Sequence, residues 1–130
     1  MTLEHISETA DFVGTVRRAA GDGEDTVVFF QIPEVLRILH DQAFWDVYYE
    51  HCSYFTAGSL VRLFRATGFE VLDVRPAYDD QYVLVEARPA DVPAGGATFD
   101  IEDDLADIGA AVAHFTATCD EVVGRWRDRV

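Results

Sequence analysis

Two hydrophobic periods alternate along this chain, and each change of period should mark a change of secondary structure. After Leu3-Glu4-His5-Ile6, Ser7 is the predicted N-cap of a helix whose first turn carries Glu8 and Asp11, where the helix dipole favours negative charge. Phe12, Val13, Val16 and Ala20 fall on one stripe, and Gly21-Asp22-Gly23 stops the helix. Thr26 to Ile32 is a nearly unbroken apolar and β-branched run closed by Pro33, which predicts a strand buried on both faces, as in a parallel sheet. A short helix through Leu36 and Leu39 follows, and then a second helix capped by Thr56, carrying Leu60, Leu63 and Phe64 and ended by Gly68. Phe69 to Val74 and Gln81 to Ala87 read as two strands paired antiparallel across a turn containing Pro76, Asp79 and Asp80. The order is therefore helix, strand, helix, helix, strand, turn, strand.

The last segment differs in kind. Arg88 to Thr98, with two prolines and adjacent glycines, reads as a connector. From Asp103 or Asp104 onward, Leu105, Ile108, Val112, Phe115, Cys119, Val122 and Trp126 recur at alternating steps of three and four, the seam of a coiled-coil-like helix. Such a seam needs either the preceding layer or the same helix of a second chain to lie on, and its narrowness favours a helix partner. His114 beside it is expected to face solvent. The resulting division is residues 1–88, a connector over 89–102, and an amphipathic helix over 103–130.

Composition narrows the function classes. The 130 residues, 49% hydrophobic, suit about one domain. The formal net charge of −14, from 24 acidic and 10 basic residues, repels a phosphate backbone and argues against nucleic acid as a partner. All the basic residues are arginine, a choice that suits a salt-rich cytoplasm or a GC-rich genome equally. Cys52 and Cys119 lie far apart in different kinds of segment and are read as free thiols. No apolar run approaches the length of a membrane span, and no signal-peptide pattern opens the chain, so a cytoplasmic location without membrane contact is expected.

The richest chemistry lies between Phe44 and Phe55, in FWDVYYEHCSYF. Glu50 and His51 are adjacent, Tyr48 and Tyr49 precede them and Tyr54 follows, which brings a general base, a carboxylate and phenolic donors within reach of one pocket. That is equipment for removing a proton from a hydroxyl or an activated carbon. A metal site from His40, Asp41, Asp46, Glu50 and His51 is a lesser alternative, because the spacing matches no tetrahedral ligand pattern.

Several stretches resemble the C-terminal half of a class I S-adenosylmethionine-dependent methyltransferase of the sugar C-methyltransferase-like branch. They are Leu3-Glu4-His5-Ile6, Ile32-Pro33, Tyr49 to Phe55, Gly68-Phe69-Glu70-Val71 and Gln81 to Arg88; the pattern Glu50-His51-x-x-Tyr54-Phe55 is the most specific. The resemblance implies an α/β fold: a partial Rossmann-like sheet of about three strands, one parallel-type strand plus an antiparallel pair, with flanking helices and a long C-terminal helix. It implies His51 as catalytic base, Glu50 orienting or assisting it, Tyr48 steadying an enolate or hydroxyl, and Tyr54, His5 and Pro33 in contact with a small acceptor such as a sugar. It also implies S-adenosylmethionine as methyl donor. No glycine-rich turn follows a strand here, so no residue is assigned to the cofactor, and a fragment or one half of a split enzyme is expected.

Without its upstream neighbour, the strand near Thr26 presents an open hydrophobic edge, which predicts a homodimer or pairing with an N-terminal-half partner. The alternative to an acceptor-binding half is a non-catalytic, methyltransferase-derived module for dimerisation or partner binding.

Overall fold

The computed structural model describes residues 2–23, 25–90 and 97–129. Its strands are β1 (Val28–Pro33), β2 (Phe69–Ala77) and β3 (Tyr82–Pro89), and its helices are α1 (Thr9–Ala20), α2 (Val35–His40), α3 (Ala57–Ala66) and α4 (Leu105–Arg127). They form the expected α/β arrangement, a three-stranded sheet with flanking helices and a long C-terminal helix.

The sheet order is β1-β3-β2, and β3 pairs antiparallel with both neighbours. β1 and β2 therefore run in the same direction on either side of β3. The reading of β1 as buried on both faces needs correction: Ile32 is buried, but Phe29 is 55% exposed. Successive side chains alternate across a strand. The Val28, Phe30 and Ile32 face packs on the core, where Phe30 meets Phe64 edge to face at 5.1 Å. On the opposite face the Phe29 ring stays in water, with no helix among the described residues covering it.

β2 carries a bulge at Leu72, between the pairs Val71↔Ala87 and Asp73↔Glu86. One extra residue shifts the alternation, so the inward positions pass from Phe69 and Val71 to Val74. These side chains and Val83, Val85 and Ala87 of β3 pack against Leu60, Val61 and Phe64 of α3. Fully burying a phenylalanine such as Phe64 contributes about 1.5–3 kcal/mol. β2 continues through Ala77, beyond the Val74 end read from sequence. The turn is consequently confined to residues 78–81, with Tyr78, Asp79 and Asp80 all in left-handed conformation at φ 56, 54 and 59°.

Local caps explain the helix limits. The Thr56 hydroxyl accepts the Ser59 backbone N–H at 3.1 Å, while the Ser59 hydroxyl accepts the Thr56 N–H at 2.9 Å. Gly68 leaves α3 at φ 89°, where an L side chain would be strained. α1 differs from expectation by one residue: Glu8, not Ser7, is the N-cap, and no side chain caps it.

Of the predicted connector, 91–96 lies outside the described residues. Its end is anchored rather than open: Arg65 donates two hydrogen bonds to Glu102, at 2.6 and 2.9 Å. α4 follows its N-cap Asp104 and lies along α2 and the aromatic segment. Its links there are His40 to Asp107 at 3.1 Å, the Thr118 hydroxyl to Gln42 at 2.6 Å, and Trp126 edge-on to Trp45 at 5.5 Å. Much of the seam stays open, with Leu105 and Val112 at 67% and 47% exposure. His114 is exposed, as expected, and both cysteines are free thiols.

Candidate functional site

The floor of the site is a short 3₁₀ turn, Leu3–His5, in which Leu3 is buried in the core and Glu4 beside it is also buried. The segment after α2 returns along this turn. Cys52 and Ser53 donate their backbone N–H groups to the Glu4 carbonyl at 2.7 and 3.2 Å, and His5 Nδ1 lies 3.1 Å from the Glu50 carbonyl. Phe55 then forms a parallel bridge with Glu34, which carries the chain into α3. These links pin residues 50–53 over the C-terminal end of β1, where Pro33 pairs with Tyr82.

The result is a cavity of about 300 Å³ lined by Glu4, His5, Pro33, Tyr48, Glu50 and His51, with Arg37, Tyr82 and others completing the wall. Five residues named from sequence, His5, Pro33, Tyr48, Glu50 and His51, share this one concavity. The sixth, Tyr54, sits at its edge: its ring lies 5.7 Å from that of His51, but its side chain lines the neighbouring apolar groove between α2 and α4. The Tyr54 hydroxyl donates to the Tyr48 carbonyl at 3.4 Å, and burial pushes its phenol above the usual range, so it is a proton donor at neutral pH.

The His51 imidazole stands in an aromatic box, with Tyr48 and the His5 ring each 5.0 Å away between centroids. Such a box restricts the ring, and His51 lines the cavity from within it. Glu50 is exposed and lines the cavity, with no hydrogen bond from its carboxylate to His51. Sequence reasoning missed Glu4, whose carboxylate comes within 4.8 Å of donor atoms on both His5 and His51. The one available signal was a carboxylate beside His5 in a short turn flanked by the apolar Leu3 and Ile6.

The metal alternative around His40 does not assemble. Arg37 holds both Asp41, at 3.1 Å, and Asp46, while His40 is paired with Asp107 on α4. The described residues also build no cradle for a nucleoside-bearing cofactor. Gly21 and Gly68, the glycines at positive φ, each follow a helix rather than a strand, and the close approach at Gly58 is filled by Glu102 and Asp104 of the chain itself. No helix among the described residues is long and apolar enough to cross a membrane.

Comparison with known proteins points to a family. A family model described as a methyltransferase domain matches residues 1–74. Over 67 residues the chain is 38% identical to the C-methyltransferase NovU of Streptomyces niveus, a match that covers 51% of this chain and 16% of that protein.

Proposed function

The chain belongs to the methyltransferase domain family, and on that footing we propose that it forms the acceptor side of an S-adenosylmethionine-dependent methyltransferase acting on a small molecule such as a sugar. The observation that carries this reading is the gathering of His5, Pro33, Tyr48, Glu50 and His51 around one cavity at the carboxyl end of β1. Ligand sites of open α/β sheets lie at that end of the strands. The donor is the one the family implies; the described residues do not build its site, so the steps assigned to them concern the acceptor alone.

In this reading His51 removes the proton from the acceptor's nucleophilic carbon or oxygen. The rings of Tyr48 and Tyr54 lie 5.0 and 5.7 Å from the imidazole, between centroids. Tyr48 steadies the oxygen on which negative charge develops, and Glu50 at the cavity wall stabilises the imidazolium once it forms. Pro33 and His5 bound the space the acceptor fills. The test is His51→Gln in a complete, active enzyme, with an expected loss of about 10²–10⁴ in rate. Full turnover by that variant would end the assignment.

A second reading, a self-associating module derived from a methyltransferase, has its own support. Leu105, Val112 and Trp126 leave much of the α4 seam in water, and β1 pairs with a strand on one side only among the described residues. A homodimer through either surface would cover them. Light scattering should then give twice the chain mass at micromolar concentration, and a monodisperse monomer would refute this reading.

A further inference from the structure

The floor of the cavity holds buried polar atoms without a hydrogen-bond partner among the described residues. The Glu4 side chain is 1% exposed, and neither of its carboxylate oxygens has a hydrogen-bond partner among the described residues. His51 Nδ1 is likewise buried and unpaired. A carboxylate removed from water without a partner is costly, and natural buried charges are paired or coordinate metals.

The neighbouring imidazole is already oriented. A carbonyl can only accept, so the Glu50 carbonyl at 3.1 Å places the His5 proton on Nδ1. In the neutral imidazole this leaves the lone pair on Nε2, which is 3.8 Å from Glu4 Oε1. One donor atom from each of Glu4, His5 and His51 lies within 4.8 Å of the other two. Donors about 2.1 Å from a common ion stand about 3–4 Å apart, so small side-chain adjustments close the set.

We propose that Glu4, His5 and His51 bind a divalent transition-metal cation of the zinc class, with the remaining coordination positions open to the cavity. Two imidazoles and one carboxylate are a donor set that such ions accept. The hydrogen bond from His5 Nδ1 to a backbone carbonyl is the outer support that metal-binding histidines regularly have. The net charge of −14 raises the local concentration of cations. A neutral imidazole has one lone pair on nitrogen, so His51 bound to the ion cannot also take a proton. The cation and the base role are therefore mutually exclusive, and the loaded site is a blocked one.

The experiment is calorimetry of the chelator-treated chain with zinc chloride, repeated with cobalt(II) followed by its visible absorption. Neither needs methyl transfer, so this proposal and the base assignment can fail separately. The expected result is one equivalent of metal, without a sulfur-to-metal charge-transfer band, and at least about tenfold weaker binding in Glu4→Gln and in His5→Gln. Cys52→Ser should bind as the parent does. Should Glu4→Gln fail to fold, His5→Gln, at a partly exposed position, and His51→Gln carry the decision. Absence of one-equivalent binding, binding unchanged in the ligand variants, or binding lost in Cys52→Ser would each overturn the proposal.

Discussion

The junction of α3 with α4 and the floor of the cavity each bury a carboxylate, and they treat it in opposite ways. Asp104, 4% exposed, accepts the Gly58 backbone N–H at 2.7 Å and faces Arg62 at 3.3 Å. The fit is close enough that a Cβ on Gly58 would meet its oxygens at 2.6 Å. Glu4 is more deeply buried and accepts no hydrogen bond among the described residues, with only His5 Nε2 facing it at 3.8 Å. A group kept for the fold is satisfied by the fold, whereas one left unsatisfied is held for something that arrives later. Glu34 lies between these extremes: it is 8% exposed, and its carboxylate caps α2 by accepting the Arg37 N–H at 2.7 Å.

That gradation can be sharpened by measurement. The largest effect is expected at Glu34, whose pKa burial pushes up to about 7 from 4.5, against the opposing pull of the Arg37 and Leu36 backbone N–H groups. With the folded pKa raised, the folded chain keeps a proton that the unfolded chain releases. Glu34's contribution is thus fully present below pH 4.5 and lost as pH rises through about 7. The total is about 3 kcal/mol. Urea unfolding across this window should show stability falling with pH in the parent relative to Glu34→Gln; parallel curves would contradict it. Asp104→Ala ranks next. It strips the acceptor from a buried N–H and should cost about 2 kcal/mol, with little of that from the half-exposed Arg62 pair. An unchanged urea midpoint would remove Asp104 from the satisfied end of the comparison.

The elements were legible in the sequence because each carried its own period and its own stops: the β-branched run before Pro33, the Thr56 cap and Gly68. The bulge at Leu72 was not, since one added residue changes facing without changing composition. Nor was the left-handed run through Tyr78, an aromatic residue that ordinarily avoids that conformation, while Asp79 and Asp80 tolerate it better. The shallow burial of β1 was hidden for a related reason: an apolar run states a preference for burial, and whether a layer exists to bury it is a tertiary matter. At the site, Glu50 and His51 stood out by adjacency. Glu4 did not, because its place beside two imidazoles is created only when residues 50–53 fold back along Leu3–His5 through backbone hydrogen bonds.

The smallest expected effect is also the most direct test that the cavity floor is kept for function. Glu4→Gln removes a buried charge that the fold does not satisfy, so thermal and urea unfolding of the metal-free chain should show a gain of about 1 kcal/mol, opposite in sign to Asp104→Ala. A loss comparable to that of Asp104→Ala would mean that Glu4 is a structural carboxylate after all.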